Sequence, residues 1–137
     1  MAPLVERLQK ALDGRSDVEL ALLFGSWARG SARQDSDVDV ALLAPGVDLL
    51  ALAATLREAI GCEIDLSSLD EESMTIPLLA ELVRDAVVIH EGRPGAHARW
   101  RSRALTTLET DGPWYRRMRD AFLTSLASPS TAGEPDR

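Results

Sequence analysis

Between two short apolar runs, Val18 to Phe24 and Val38 to Ala44, lies the stretch G-S-W-A-R-G-S-A-R-Q-D-S-D-V-D, from Gly25 to Asp39. Apolar runs of this length, bounded by turn residues, read as buried strands. Gly25-Ser26 then sits at a strand end and Asp37-Val38-Asp39 at the start of the next strand. A short helical turn is expected after Gly25, because serine is a good N-cap and glycine permits close backbone approach. Exposed N–H groups at such a helix start favour phosphate. Asp37 and Asp39, two residues apart on a strand, point to one face about 6.6 Å apart along the chain. Val38, Val40 and Leu42 point the other way, into a core. Hard carboxylates beside a phosphate seat suit Mg²⁺, which takes one or two carboxylates together with substrate phosphates. Alone, D-x-D reads as a turn ending in solvated acids. Its position ten residues after a strand-terminal Gly-Ser gives it weight.

The remaining pattern alternates helices and strands. Leu4, Val5, Leu8, Ala11 and Leu12 form one apolar stripe on a helix over Pro3 to Leu12, ended by Asp13-Gly14. After the second strand, Asp37–Ala44, the chain turns at Pro45-Gly46. Asp48 is placed to cap a helix bearing Leu49, Leu52, Ala53, Leu56 and Ile60, and Gly61 stops it. Cys62 to Ser67 alternates as a half-exposed strand, with Ile64 and Leu66 inward and Glu63, Asp65 and Ser67 on the opposite face. Paired beside Asp37–Ala44, that strand brings a further acid to the cluster, and position alone leaves Asp65 and Glu63 both open. Asp70-Glu71-Glu72-Ser73 reads as a solvated acidic loop. Thr75–Asp85 reads as a helix with Pro77 in its first turn, and Val87–His90 as a fourth strand. Beyond Arg93-Pro94-Gly95 the expected elements are a helix from Ala96 to Glu109, a break at Asp111-Gly112-Pro113, and a helix from Trp114 to Leu126. Ser128–Arg137 has the composition of a disordered tail. The expected organisation is therefore a core over 1–92, C-terminal helices over 93–127 packed on it, and a tail over 128–137.

Composition narrows the function. At 137 residues the chain reads as one domain, large enough to bury roughly two-thirds of its unfolded surface. Its single cysteine, Cys62, excludes an internal disulfide and a Cys-based zinc site, and reads as a buried thiol at a strand start. Glu6, Arg7 and Lys10 interrupt the N-terminus, and no apolar run approaches about 18 residues, so a soluble cytoplasmic protein without a membrane partner is expected. Residues 1–92 hold 17 acidic and 7 basic side chains, whereas 93–137 hold 8 basic and 5 acidic. An acidic body disfavours nucleic acid as a direct substrate, since such binding neutralises phosphates with Lys and Arg. It suits a site that collects divalent cations. Arg29 reads as a phosphate contact, its planar fork matching phosphate oxygens, or as a surface arginine closing the loop. Trp27 packs at the rim of the site or lines it. His90 and His97 read as structural. Arg99, Arg101, Arg103, Arg116, Arg117 and Arg119 form solvated helix faces or a docking surface.

Gly25-Ser26, ten residues and Asp37-Val38-Asp39 resemble the signature of the DNA polymerase beta-type nucleotidyltransferase superfamily. The short chain and the form G-S-W-A-R-G…S-D-V-D-V resemble its minimal members, the MNT proteins. Among these the likeness is to MntA-type antitoxins paired with HEPN-domain toxins of the HepT kind, carried by residues 18 to 90. The resemblance implies an α/β fold: a mixed sheet of about four strands flanked by helices, with a C-terminal helical pair. It implies that Asp37, Asp39 and Asp65 are the catalytic and metal-binding carboxylates, holding two Mg²⁺ ions. Gly25, Ser26 and Arg29 would bind the nucleotide, and Asp65 would also accept a proton. ATP would donate AMP to a tyrosine hydroxyl of a cognate HEPN toxin ribonuclease, neutralising it within a hetero-oligomer. Converging carboxylates without a nucleophilic triad or a Cys/His set agree with metal-assisted phosphoryl chemistry. Three rivals stand beside this reading. A small-molecule nucleotidyltransferase of the aminoglycoside type needs more acceptor-binding chain. An antitoxin that only masks its partner by binding is the second, and an intact three-acid set counts against it. A polymerase subunit lacks its template-binding domains here.

Overall fold

The computed structural model describes residues 2–70 and 74–127. They form α1 (Ala2–Leu12), β1 (Leu20–Phe24), α2 (Ser26–Arg29), β2 (Val38–Leu43), α3 (Leu49–Ile60), β3 (Ile64–Ser68), α4 (Ile76–Asp85), β4 (Val87–His90) and α5 (Ala96–Ala127). The expected acidic pair Glu71-Glu72 and the tail Ser128–Arg137 lie outside the described residues.

Four strands form one mixed sheet in the order β3-β2-β1-β4. β1 runs antiparallel to both β2 and β4, while β2 and β3 are parallel and joined through α3. A parallel pair needs such a crossover, and α3 supplies it. β1, L-A-L-L-F, is buried on both faces, as a central strand must be. Its neighbours alternate. Val38, Val40, Leu42 and Ile64 pack with Leu4, Leu8 and Leu12 of α1 and Leu52, Leu56 and Ile60 of α3. On the opposite face Leu20, Leu22 and Ala41 pack with Leu79 and Leu82 of α4 and with Ala96, Trp100 and Ala104 of α5. The sheet is thus a middle layer between two helical layers. Truncating a core leucine such as Leu22 or Leu56 to alanine should cost about 2–5 kcal/mol.

The helix boundaries follow their caps. Asp48 Oδ1 accepts the N–H groups of Leu50 (3.0 Å) and Ala51 (3.3 Å) at the start of α3. Gly61, at φ 82°, ends α3 by donating its N–H to the Arg57 carbonyl. Thr75 caps α4 through Leu78 N–H, with proline inside the first turn. Arg7 Nη1 donates to the Ile60 carbonyl at 3.0 Å, tying α1 to the exposed end of α3.

Four boundaries differ from expectation. β1 starts at Leu20 rather than Val18, and β2 at Val38, which leaves Asp37 one residue outside the strand. β3 starts at Ile64, so Cys62 is half-buried in the preceding turn rather than buried at a strand start. The fourth difference is larger. Instead of a helical pair, α5 is one 32-residue helix that continues through Pro113. Proline in a helix interior costs about 3 kcal/mol, partly by clashing with the Cβ of the residue before it. That residue is Gly112, which has no Cβ, so this part of the cost is absent, while the lost N–H donor and the crowding of the carbonyl four residues back remain. The first half of α5 lies on α4, where Arg101 Nη1 also donates to the Val83 carbonyl at 3.0 Å. Its second half exposes Trp114 (58%), Met118 (53%) and Phe122 (62%).

Candidate active site

The register of the parallel pair sets Asp39 of β2 directly opposite Asp65 of β3. Adjacent strands lie about 4.8 Å apart, so these carboxylates leave the same face side by side. Asp37, two residues before Asp39 and just outside β2, lies near enough for its charge to act on Asp39. Burial pushes the Asp39 carboxyl above its ordinary value. The charges of Asp65, Asp37 and Glu81 push it further, while Arg29 pulls it back. Glu63 is not among the groups acting on Asp39. It precedes β3, its carbonyl accepts the Val38 N–H (2.9 Å), and its charge acts on the Cys62 thiol instead.

β1 meets β2 with Phe24 paired to Asp39, so Gly25 follows directly over the acid. Gly25 stands at φ 76° and ψ −153°, a conformation open essentially to glycine. A Cβ there would run into the Asp39 carboxylate. Gly25, rather than the expected Ser26, takes the cap position of α2, and Ser26 is the first helical residue. Among the described residues no side chain caps the N–H groups at this helix start, which follows directly on the glycine that lies against Asp39.

The loop from α2 to β2 is pinned through Trp27 and Ser36. Trp27 packs against the core, and its indole Nε1 donates to the Ser36 carbonyl at 3.1 Å. Ser36 Oγ in turn accepts the Arg33 N–H at 2.7 Å. Asp37 is thus delivered by a tethered loop. Arg29 Nη1 donates to Glu81 Oε2 of α4 at 2.8 Å, across the acid face. Sequence reasoning missed Glu81. It lies 52 residues from Arg29 and reads locally as a solvated helix acid. His90 Nε2 meets the Arg15 carbonyl at 2.9 Å, and His97 stacks on Trp100, so both histidines are structural. A groove of about 760 Å³ opens on the same sheet face, between Leu43, Leu69, Met74 and the α5 aromatics Trp100, Trp114 and Tyr115. None of Asp37, Asp39 and Asp65 lines it.

Among the described residues no three His, Cys, Asp or Glu side chains close into a metal cage. Mg²⁺ does not require one, because it keeps waters and is held by one or two carboxylates plus substrate phosphates. The donor set fits that chemistry: all-oxygen, anionic, and mutually repelling at Asp39.

Acids ranged across parallel neighbours, beneath a glycine-led turn that ends the central strand, are the architecture of the nucleotidyltransferase class. Residues 6–93 match the family model described as polymerase beta, nucleotidyltransferase, and the chain belongs to that family. No curated protein matches it. Solved structures do. A toxin–antitoxin with AMP-PNP aligns at 22% identity over 90% of this chain and 98% of its own, with a TM-score of 0.68. The toxin–antitoxin MntA-HepT aligns at 20% identity over 93% and 100%, with a TM-score of 0.63. A tri-AMPylated Shewanella oneidensis HEPN toxin in complex with MNT antitoxin gives 20%, 93% and 98%, also with a TM-score of 0.63. At these identities the likeness is one of fold. No helix among the described residues is long and apolar enough to cross a membrane.

Proposed function

We propose that this chain is a cytoplasmic antitoxin nucleotidyltransferase. In this reading it transfers AMP from ATP to a tyrosine hydroxyl of a cognate HEPN-domain toxin ribonuclease and so neutralises it. The observation that carries the chemistry is Asp39 abreast of Asp65 under Gly25. Support for the acceptor comes from the similar folds, which belong to toxin–antitoxin assemblies, one with AMP-PNP and one with an AMPylated HEPN toxin.

In this mechanism the uncapped N–H groups after Gly25, the Ser26 hydroxyl and Arg29 bind the β and γ phosphates. The tyrosine oxygen attacks the α phosphorus, the bond to the bridging oxygen of the β phosphate breaks, and pyrophosphate leaves. Asp65 accepts the tyrosine proton, a general-base role open to an exposed carboxylate. Two Mg²⁺ ions, held by Asp37 with Asp39 and by Asp39 with Asp65, would supply charge neutralisation and orientation of the phosphates. Residues 1–92 serve as the catalytic core. The exposed Trp114, Met118 and Phe122 of α5, with Arg116 and Arg117 among them, hold the toxin.

Intact masses of the chain and the HEPN protein, mixed with Mg²⁺ and each nucleoside triphosphate, test the proposal. One or more AMP additions to the toxin, lost when its tyrosine is changed to phenylalanine, are expected. Modification of aminoglycosides but of no protein, or neutralisation without any mass change, would overturn it.

A further inference from the structure

The contact between Arg29 and Glu81 joins α2 to α4 above the acids, through a single Nη1–Oε2 hydrogen bond of 2.8 Å. Glu81 is 26% exposed and Arg29 45%, and Arg29 makes no other side-chain hydrogen bond or ion pair among the described residues. A half-exposed pair of this kind adds little to stability. Glu81 is also poorly sited for a bystander. Its charge reaches Asp39, adding a fourth negative group to a face that must receive a triphosphate. The pairing gives it a use. A guanidinium has five N–H donors, of which Glu81 engages one. The helix that carries Arg29 is only four residues long and offers nothing else to hold so flexible a side chain.

We propose that Glu81 is a positioning residue that holds the Arg29 guanidinium over the acid face, with its remaining donors directed at the nucleotide's phosphates. This inference rests on the nucleotidyltransferase reading of the site. Its physical basis is pre-organisation: ordering a rotamer-rich side chain only on binding weakens affinity, and Glu81 orders it beforehand.

The test measures ATP affinity by titration calorimetry with Mg²⁺ for the parent, Glu81→Gln, Arg29→Ala and the double variant, alongside melting temperatures. Glu81→Gln should weaken ATP about five-fold, and Arg29→Ala at least as much. The double variant should bind no worse than Arg29→Ala alone, and melting should stay at the parental value throughout. In turnover, the Glu81→Gln loss should fall on KM rather than kcat. Parental or tighter affinity in Glu81→Gln overturns the inference. So does an equal Glu81→Gln loss in the Arg29→Ala background, or a fall in melting temperature that accounts for the weaker binding. A parent chain that binds no nucleotide overturns the nucleotidyltransferase reading together with this one, whereas the other failures leave that reading standing.

Discussion

Gly25 and Asp39 face each other with no room for a side chain between them: a Cβ added to Gly25 would overlap the Asp39 carboxylate. The same glycine holds φ 76° and ψ −153°, so an alanine there meets both strain and collision. Gly25→Ala should cost about 1–3 kcal/mol of stability from the backbone alone. It should also displace Asp39 and abolish nucleotide transfer. Thermal melting and a turnover assay check both. Parental melting with full activity would mean that the contact is not as tight as described.

Asp39 yields a pH prediction. Its native carboxyl sits above the ordinary value of 3.8, through burial first and then through Asp65, Asp37 and Glu81. The native state therefore binds the proton more readily than the unfolded chain does, and stability falls as pH rises from the unfolded value through the native one. Asp39→Asn removes that cost. Without divalent cation or nucleotide, the variant should melt above the parent at about pH 7.5, and the two should converge below about pH 4. With Mg²⁺ and ATP the order should reverse, because only the parent gains ligand stabilisation. A variant that melts no higher than the parent at neutral pH would contradict this.

Asp65 and Glu63 differ in what they face. Asp65 stands opposite Asp39, whereas Glu63 acts on Cys62. Asp65→Asn should therefore abolish AMP transfer, and Glu63→Gln should lower it by less than about ten-fold, a loss of under 1.4 kcal/mol. Turnover of the two variants under equal Mg²⁺ decides it, and a dead Glu63→Gln would reassign the third carboxylate.

Along the outer half of α5, Trp114, Met118 and Phe122 recur every fourth residue and stand exposed. Aromatic, Met and Arg residues are enriched where proteins meet. Reversing Arg116 and Arg117 to Glu should slow modification of the toxin, most strongly at low salt, and leave ATP affinity unchanged. Phe122→Ala should raise the dissociation rate. Association kinetics on an immobilised toxin would show both, and unaltered kinetics in the two variants would place docking elsewhere.

Much of this was legible in the sequence because it depends on neighbours in the chain. The Gly-Ser turn, the two-residue spacing of Asp37 and Asp39, the Asp48 cap and the Gly61 stop are all local chemistry. Short apolar runs and alternation likewise marked four strands and, for β2 and β3, their inward faces. Tertiary structure decided what depends on distant partners. The register of β3 against β2 set Asp65, and not Glu63, opposite Asp39. The packing of α4 brought Glu81 to Arg29 across 52 residues. The closing of β1 on β2 turned Gly25 from a permissive turn residue into one with no space for a side chain. Pro113 shows the limit most clearly. Its local chemistry argued for a break, yet α5 runs on through it, and Gly112 before it lacks the Cβ that would add a clash with the proline ring.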